Sequence, residues 1–253
     1  MKVTFLGTGT SQGVPVIACP CKVCSSGDSK DKRLRSSVLV ETKNNILVID
    51  AGPDFRQQML RENVCRIDAV LITHAHKDHI GGLDDIRAFN YFQKGPVNVY
   101  ARQNVHKVLR SDFFYAFEDE KYPGVPDINL HAIKTHPFKI NNDTIIPIEV
   151  MHYRLPVFGF RINDFTYITD ANFISDDELE KIKGSKIVVL NALRRKQHIS
   201  HFNLEEAIKV LQHIQPEQAY LTHISHQLGL HEDVEKELPE FVKLAYDGLK
   251  IEI

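Results

Sequence analysis

The segment Thr73–Gly82, THAHKDHIGG, constrains this chain more than any other. It follows the apolar run AVLI and carries His74, His76, Asp78 and His79 in a His-x-His-x-Asp-His spacing. Imidazole and carboxylate are good ligands for borderline divalent metals. A tight turn off a strand end aims His74 and His76 at one ion, and Asp78 and His79 at a second. Gly81 and Gly82 let the backbone turn sharply into the next helix. A solvated turn that holds histidines by accident explains neither the apolar strand before it nor the glycine pair after it.

Two metal ions need more ligands than these four. His152 follows IIPIEVM, Asp170 follows FTYIT and His223 follows QAYLT. Each is a single ligand-type residue closing an apolar run. Asp170 is the natural bridge, because a carboxylate has two oxygens. A short internal echo accompanies them. Asp50 and Asp170 both end apolar strands, and LITHAH (71–76) resembles YLTHISH (220–226). The echo implies two related half-sandwiches meeting at one polar seam.

β-Rich runs predict strands at Val3–Leu6, Ser37–Glu41, Ile46–Asp50, Ala69–Thr73, Val97–Ala101, Ile145–His152, Phe158–Ile162, Thr166–Thr169, Lys186–Asn191, Gln218–Thr222 and Leu249–Ile253. Asn44–Asn45 makes a hairpin turn between the second and third. Helices are predicted at Asp54–Glu62, Leu83–Tyr91, Asn104–Phe117, Asp176–Ile182, Leu204–Ile214 and Asp233–Leu244. Ser175 and Asn203 are the expected N-caps, and Glu178 stands at the capping-box spacing from Ser175. A strand meander followed by alternating strands and helices fits an α/β fold of two face-to-face sheets with helices outside.

Lys plus Arg number 31 and Asp plus Glu 33, for a net charge of −2. That near-neutral balance argues against a general polyanion binder, so nucleic acid is not an expected partner. No apolar run approaches the about 20 residues that span a bilayer. The N-terminus has no signal-peptide pattern, and the expectation is a cytoplasmic protein without membrane contact. Three of the four cysteines crowd into CPCKVC, as Cys19, Cys21 and Cys24. A cytosolic cluster of this kind points to metal rather than disulfides. A tetrahedral structural zinc needs a fourth ligand. His226 is the first choice, three residues after His223, with His231 in reserve. The lone Cys65 is expected to be a small buried hydrophobe.

The His-x-His-x-Asp-His motif, with His152, Asp170 and His223 in that order, resembles the metallo-β-lactamase superfamily of binuclear hydrolases. The opening FLGTGTSQGVPVIACPCKVC is similar to that of the phosphoribosyl 1,2-cyclic phosphate phosphodiesterases and their relatives. The tRNA 3′-processing endonucleases, which also start FLGTG, are more distant. The resemblance covers nearly all of residues 1–253 and implies one domain, a four-layer αββα sandwich with two divalent ions, Zn or Mn, at one edge. It implies that His74, His76 and His152 hold one ion, that Asp78, His79 and His223 hold the other, and that Asp170 bridges. Asp50 then supports the site by hydrogen bonds. It also implies a structural zinc completed by a histidine at the offset of His226. The resemblance also makes a homodimer an expected partner state, since dimers are common in that family.

HISHFNLEEA places His201 ahead of a helix, where the resembling enzymes carry a histidine near the scissile phosphate. With Asp78 and Asp170 it completes the expected catalytic group. Its expected role is general acid toward the leaving alkoxide, with His198 the competing candidate. Arg194, Arg195 and Lys196 are either a solvated face or an orienting patch for an anion. GTGTSQG either cradles phosphate or packs tightly against the metal edge. DFFYAFEDEKYPGVP (112–126) either covers the pocket or an interface, or is simply a helix end and loop. The expected substrate is a small cyclic phosphodiester. tRNA 3′-end cleavage and thioester or lactone hydrolysis are the alternatives, and a non-enzymatic scaffold is disfavoured because no ligand is missing.

Overall fold

A computed structural model describes residues 1–253. The first sheet begins as an antiparallel meander of β1 (Lys2–Gly7), β2 (Ser37–Glu41) and β3 (Ile46–Ile49). It continues with parallel β4 (Ala69–Leu71), β5 (Val97–Ala101) and β6 (Ile128–Ala132). The second sheet repeats the plan. β7 (Phe138–Ile140) pairs with β8 (Asp143–His152), which runs antiparallel to β9 (Leu155–Ile162) and then β10 (Phe165–Tyr167). β11 (Phe173–Ile174) flanks β8, while β12 (Ile187–Asn191), β13 (Gln218–Thr222) and β14 (Val242–Leu244) add in parallel beyond β10. The last strand, β15 (Lys250–Glu252), returns to pair with β1.

The strands read as near-continuous apolar runs because both faces of each sheet are covered. Leu47 and Ile49 of β3 point between the sheets, where they meet Phe158, Phe160, Phe165 and Val189. Val48 points outward, into a layer with Phe55, Met59, Phe89, Val105 and Leu109. Those residues come from α1 (Phe55–Arg61), α3 (Arg87–Gln93) and α4 (Gln103–Asp112); the short α2 (Lys77–Ile80) caps the sheet edge. Val188 and Leu190 of β12 pack outward against Leu179, Leu204, Leu211 and Val234, from α5 (Asp176–Ile182), α6 (Leu204–Ile214) and α7 (His231–Glu235). The result is the α/β sandwich of four layers. Fully burying one such Phe or Leu is worth about 1.5–3 kcal/mol. No helix is long and apolar enough to cross a membrane.

Several expectations need correction. The helix expected over Asp233–Leu244 is only α7 followed by β14. Pro239 interrupts it, and Val242 and Leu244 then alternate inward around exposed Lys243. The strands at Ile128–Ala132, Phe138–Ile140 and Phe173–Ile174 were not expected; all three are short and lie at or near sheet edges. Helix Leu83–Tyr91 starts as a 3₁₀ turn, Leu83–Ile86, before α3. Ser175 occupies the N-cap position of α5 but its side chain makes no capping bond. Glu178 accepts instead from the Glu149 amide at 2.9 Å. The capping box belongs to α6, where Asn203 and Glu206 bond reciprocally at 2.9 Å. Cys65 is exposed, not buried: it lies in the loop between α1 and β4, its Sγ 3.4 Å from the Asn63 carbonyl.

Candidate metal centre

The site lies where the parallel strands of both sheets end. Asp50 follows β3, and Asp170 lies just beyond β10. Both bend the chain through left-handed backbone, at φ 64° and 58°. The sheet plan is duplicated but the ligand plan is not. His74 lies beyond β4, the first parallel strand of its sheet, whereas His223 follows β13, the second of its own. In the second half the strand matching β4 is β12. It ends in Asn191, which bonds both backbone groups of Ala171 at 2.8 and 3.0 Å.

Two groups of ligand-type side chains converge there. His74, His76, His152 and Asp170 form one; Asp78, His79, Asp170 and His223 form the other, and within each group the ligand atoms lie within 4.8 Å of one another. Asp170 belongs to both. Its Oδ1 lies 3.0 Å from His223 Nδ1 and 3.4 Å from His79 Nε2, and its Oδ2 lies 3.8 Å from His74 Nε2. His74 Nε2 and His76 Nδ1 are 2.9 Å apart, the separation of about 3 Å that two ligands of one small ion adopt.

Backbone packing sets this geometry. α2 docks on the turn after β3: the Ala51 amide donates to the His79 carbonyl at 2.8 Å, and the Gly82 amide to the Ala51 carbonyl at 2.9 Å. A Cβ on Gly52 would lie 2.0 Å from the Asp78 carbonyl oxygen, so this approach requires glycine. His152 Nδ1 donates to the Ser200 carbonyl at 2.9 Å, which leaves Nε2 free to ligate.

The chemistry of the donors fits a divalent cation. His79 Nε2 is buried with no hydrogen-bond partner, although Asp78 Oδ2 is 3.1 Å away. A nitrogen that faces two carboxylates without donating to either is placed to share a cation with them. Burial opposes charge on His79, yet the carboxylates of Asp170, Asp50 and Asp78 lift its pKa well above the ordinary imidazole value. Burial alone would raise the Asp170 carboxyl, but His223 and His79 hold it well below the usual range. Burial pushes His223 down to about 4, the neutral form that ligates.

His201 stands at the same edge, 9% exposed, with Nε2 3.2 Å from Asp170 Oδ2. Its ring stacks on His223 at 5.0 Å. His198 lies behind it, half-buried. The basic triplet is largely engaged elsewhere: Arg195 pairs with Glu237 at 2.7 Å, and Arg194 bonds Gln227 at 3.0 Å. In the 112–126 segment, Asp112 pairs with Lys77 of α2 and Tyr115 donates to Asp84 at 2.6 Å, while Phe114 and Tyr122 are exposed.

Beside the centre, Cys19, Cys21, Cys24 and His226 form a third group. The Cys19 and Cys21 sulfurs are each 3.3 Å from His226 Nδ1. The Cys24 amide, with His226, brings the Cys21 thiol down to about 6, whereas burial raises Cys24 to about 11. His231, the reserve ligand, lies elsewhere: its Nδ1 is 3.1 Å from Arg33 Nη2. The glycine loop threads between the two sites. Ile224 and Thr8 bond at 2.9 Å, Thr10 Oγ1 is 3.3 Å from His223 Nε2, and a Cβ on Gly7 would lie 1.9 Å from the Arg35 carbonyl. Close packing accounts for that glycine.

Thr–His pairs at two strand ends stand out in the sequence, but the supporting role of the threonines escaped the sequence reading. Thr73 donates to Asp50 through its amide at 2.9 Å and through Oγ1, and Thr169 Oγ1 donates to Asp170 at 2.6 Å. The signal was present, because a threonine directly precedes His74, Asp170 and His223.

Comparison with known proteins agrees with this fold. A crystal structure of a diphosphatase from the PhnP family superposes with a TM-score of 0.93, at 38% identity over 100% of this chain and 97% of that one. A Porphyromonas gingivalis protein named octanoyltransferase is 40% identical over 253 residues, 99% of this chain and 51% of its own length. Ribonuclease Z of a Nostoc species is 27% identical over 170 residues, 64% of this chain and 46% of its own. The chain thus spans about half the length of these curated relatives. The model of the beta-lactamase superfamily domain matches residues 44–224, from the turn before β3 to just past His223. With that match across most of the sandwich and both ligand groups, the chain belongs to the metallo-β-lactamase superfamily.

Proposed function

We propose that residues 1–253 act as one metal-dependent hydrolase domain, a phosphodiesterase of small cyclic phosphodiesters such as phosphoribosyl cyclic phosphate. The observation that carries this reading is the position of His201 Nε2, 3.2 Å from the carboxylate shared by both ligand groups. The likeness to a PhnP-family diphosphatase supports it. His74, His76 and His152 would hold one ion, Asp78, His79 and His223 the other, and Asp170 both; Zn and Mn suit the donors equally. When bound, two such ions acidify a water and take up charge on a phosphoryl oxygen. The protein does the rest. Asp50 and the Ser200 carbonyl hold His79 and His152 in ligating orientation. His201 gives a proton to the departing alkoxide, a step worth about 10²–10⁴ in rate. Cys19, Cys21, Cys24 and His226 would hold a structural zinc that pins the glycine loop beside His223.

Cleavage of RNA is the second reading, favoured by the relatives named ribonuclease Z. The test is a substrate panel on metal-reconstituted protein: a cyclic ribose phosphate, 2′,3′-cyclic nucleotides, an aryl diester, a tRNA with a 3′ extension, a thioester and a lactone. Turnover of the small diesters, best with the cyclic ribose phosphate, is expected. Turnover of the tRNA alone, or of the thioester or lactone alone, would overturn the reading.

A further inference from the structure

His201 is held on three sides by the metal centre itself. Its ring stacks on His223 with 14° between the planes, it meets the His152 ring at 4.6 Å and 73°, and its Nε2 faces Asp170 Oδ2. The fourth side is Nδ1, where two partners converge. Ser200 Oγ is 3.0 Å away and His198 Nδ1 3.2 Å away.

The hydrogen between the two rings can be assigned from a backbone donor. The Ser200 amide donates to His198 Nδ1 at 3.3 Å. A ring nitrogen that accepts carries no hydrogen of its own. The two Nδ1 atoms face each other, so the hydrogen between them sits on His201 and is donated to His198. The Ser200 hydroxyl, 3.2 Å from His198 Nδ1, rotates freely and serves either ring. It cannot by itself distinguish the two faces of the His201 imidazole. A ring flip of His201 would turn a C–H toward His198 and a carbon toward Asp170. An acceptor at His198 Nδ1 therefore penalises the flipped ring.

We propose that His198 is a positioning residue: its Nδ1 accepts from His201 Nδ1–H and keeps His201 Nε2 turned toward the Asp170 carboxylate, where the leaving group departs. This rests on the phosphodiesterase reading above and adds a residue to it. His198 does not itself reach the metal groups. It lines an open cleft of about 440 Å³ with Asn172, Gln197, Ile199 and Glu206. Its effect runs through His201 and falls on one step, protonation of a poor leaving group.

That restriction separates positioning from a general structural role. An alkoxide needs a proton to leave, whereas p-nitrophenolate does not. The experiment compares His198→Ala, His198→Asn and His198→Gln with wild type on phosphoribosyl 1,2-cyclic phosphate and on bis(p-nitrophenyl) phosphate. Asn Oδ1 occupies roughly the place of His Nδ1; the Gln oxygen reaches further, nearer that of Nε2. His198→Ala is expected to lower kcat on the cyclic substrate about 10- to 100-fold, with KM and aryl-diester turnover within about threefold of wild type. His198→Asn is expected to return kcat to within about fivefold, and His198→Gln is not. Equal losses on both substrates, a change in KM alone, or Ala and Asn behaving alike would overturn the assignment. Should His198→Ala fail to fold, the Asn and Gln pair carries the same test. A wild-type enzyme that cleaves neither diester would instead remove the phosphodiesterase reading, and the role of His198 with it.

Discussion

Asp50 Oδ2 accepts a 2.7 Å hydrogen bond from His79 Nδ1, and neither side chain has any exposure. The pair joins the end of β3 to α2. It fixes the hydrogen on Nδ1 and leaves Nε2 facing Asp78 and Asp170. Asp50→Asn keeps the shape but sets an amide beside an N–H donor or breaks the Thr73 bonds. Metal affinity or activity should fall about 10- to 100-fold. Competition with a chromophoric chelator measures it; unchanged affinity and unchanged kcat would refute the role.

The cysteines should divide three to one. Cys65 is exposed, while Cys19, Cys21 and Cys24 share a cluster with His226. In the zinc-loaded native protein one thiol should react quickly with a disulfide reagent. The other three should follow only after a strong chelator or denaturant is added. Four fast thiols before chelation would rule out the structural zinc.

Acid should weaken the fold through His231. Its side chain is buried against Arg33, and burial first, then the guanidinium charge, push its pKa down to about 4. The unfolded imidazole titrates near about 6.5. Above that value neither state carries the proton. Between about 6.5 and 4 only the unfolded chain takes it up, so stability present at neutral pH is lost as pH falls, by at most about 3 kcal/mol. His231→Asn retains an acceptor for Arg33 and removes the titration. Urea unfolding at pH 7 and pH 4.5 should show the wild-type advantage over His231→Asn shrinking in acid; a constant difference would exclude this source.

Gly52→Ala should damage both stability and the site. The new methyl would lie 2.0 Å from the Asp78 carbonyl oxygen and 3.0 Å from its carbon, both rigid backbone atoms. Relief requires α2 to move away from the turn after β3, carrying Asp78 and His79 with it. A loss of about 1–3 kcal/mol is expected, with less metal bound at saturation. Thermal melting and elemental analysis of one preparation test both; a stable variant with full metal content would show that α2 tolerates displacement.

Much of the site was legible in the sequence, because His152, Asp170 and His223 each close an apolar run and His74, His76, Asp78 and His79 crowd into one turn after another such run. Periodicity and strand ends are written within about ten neighbouring residues, so α5, α6, β2, β5 and β13 could be placed to the residue or nearly so. Wherever a long-range partner decides, the sequence by itself was silent or misleading. β14 forms because β13 offers a free edge, not because EFVKL resembles a strand more than a helix. Glu178 closes no capping box with Ser175 because its carboxylate accepts from the Glu149 amide, 29 residues away in sequence. Cys65 is exposed because no element packs over its loop.

The grouping of the ligand-type side chains was likewise a tertiary decision. Asp78, in α2 beyond β4, and His223, just past β13, follow strands of different sheets and come together because both sheets end their parallel strands at one edge. The choice of His226 over His231 follows from the turn after β13, which aims one histidine at the thiols and sends the other to Arg33. Local sequence determines which side chains stand at strand ends. Only the order and packing of the strands determine which of those ends meet.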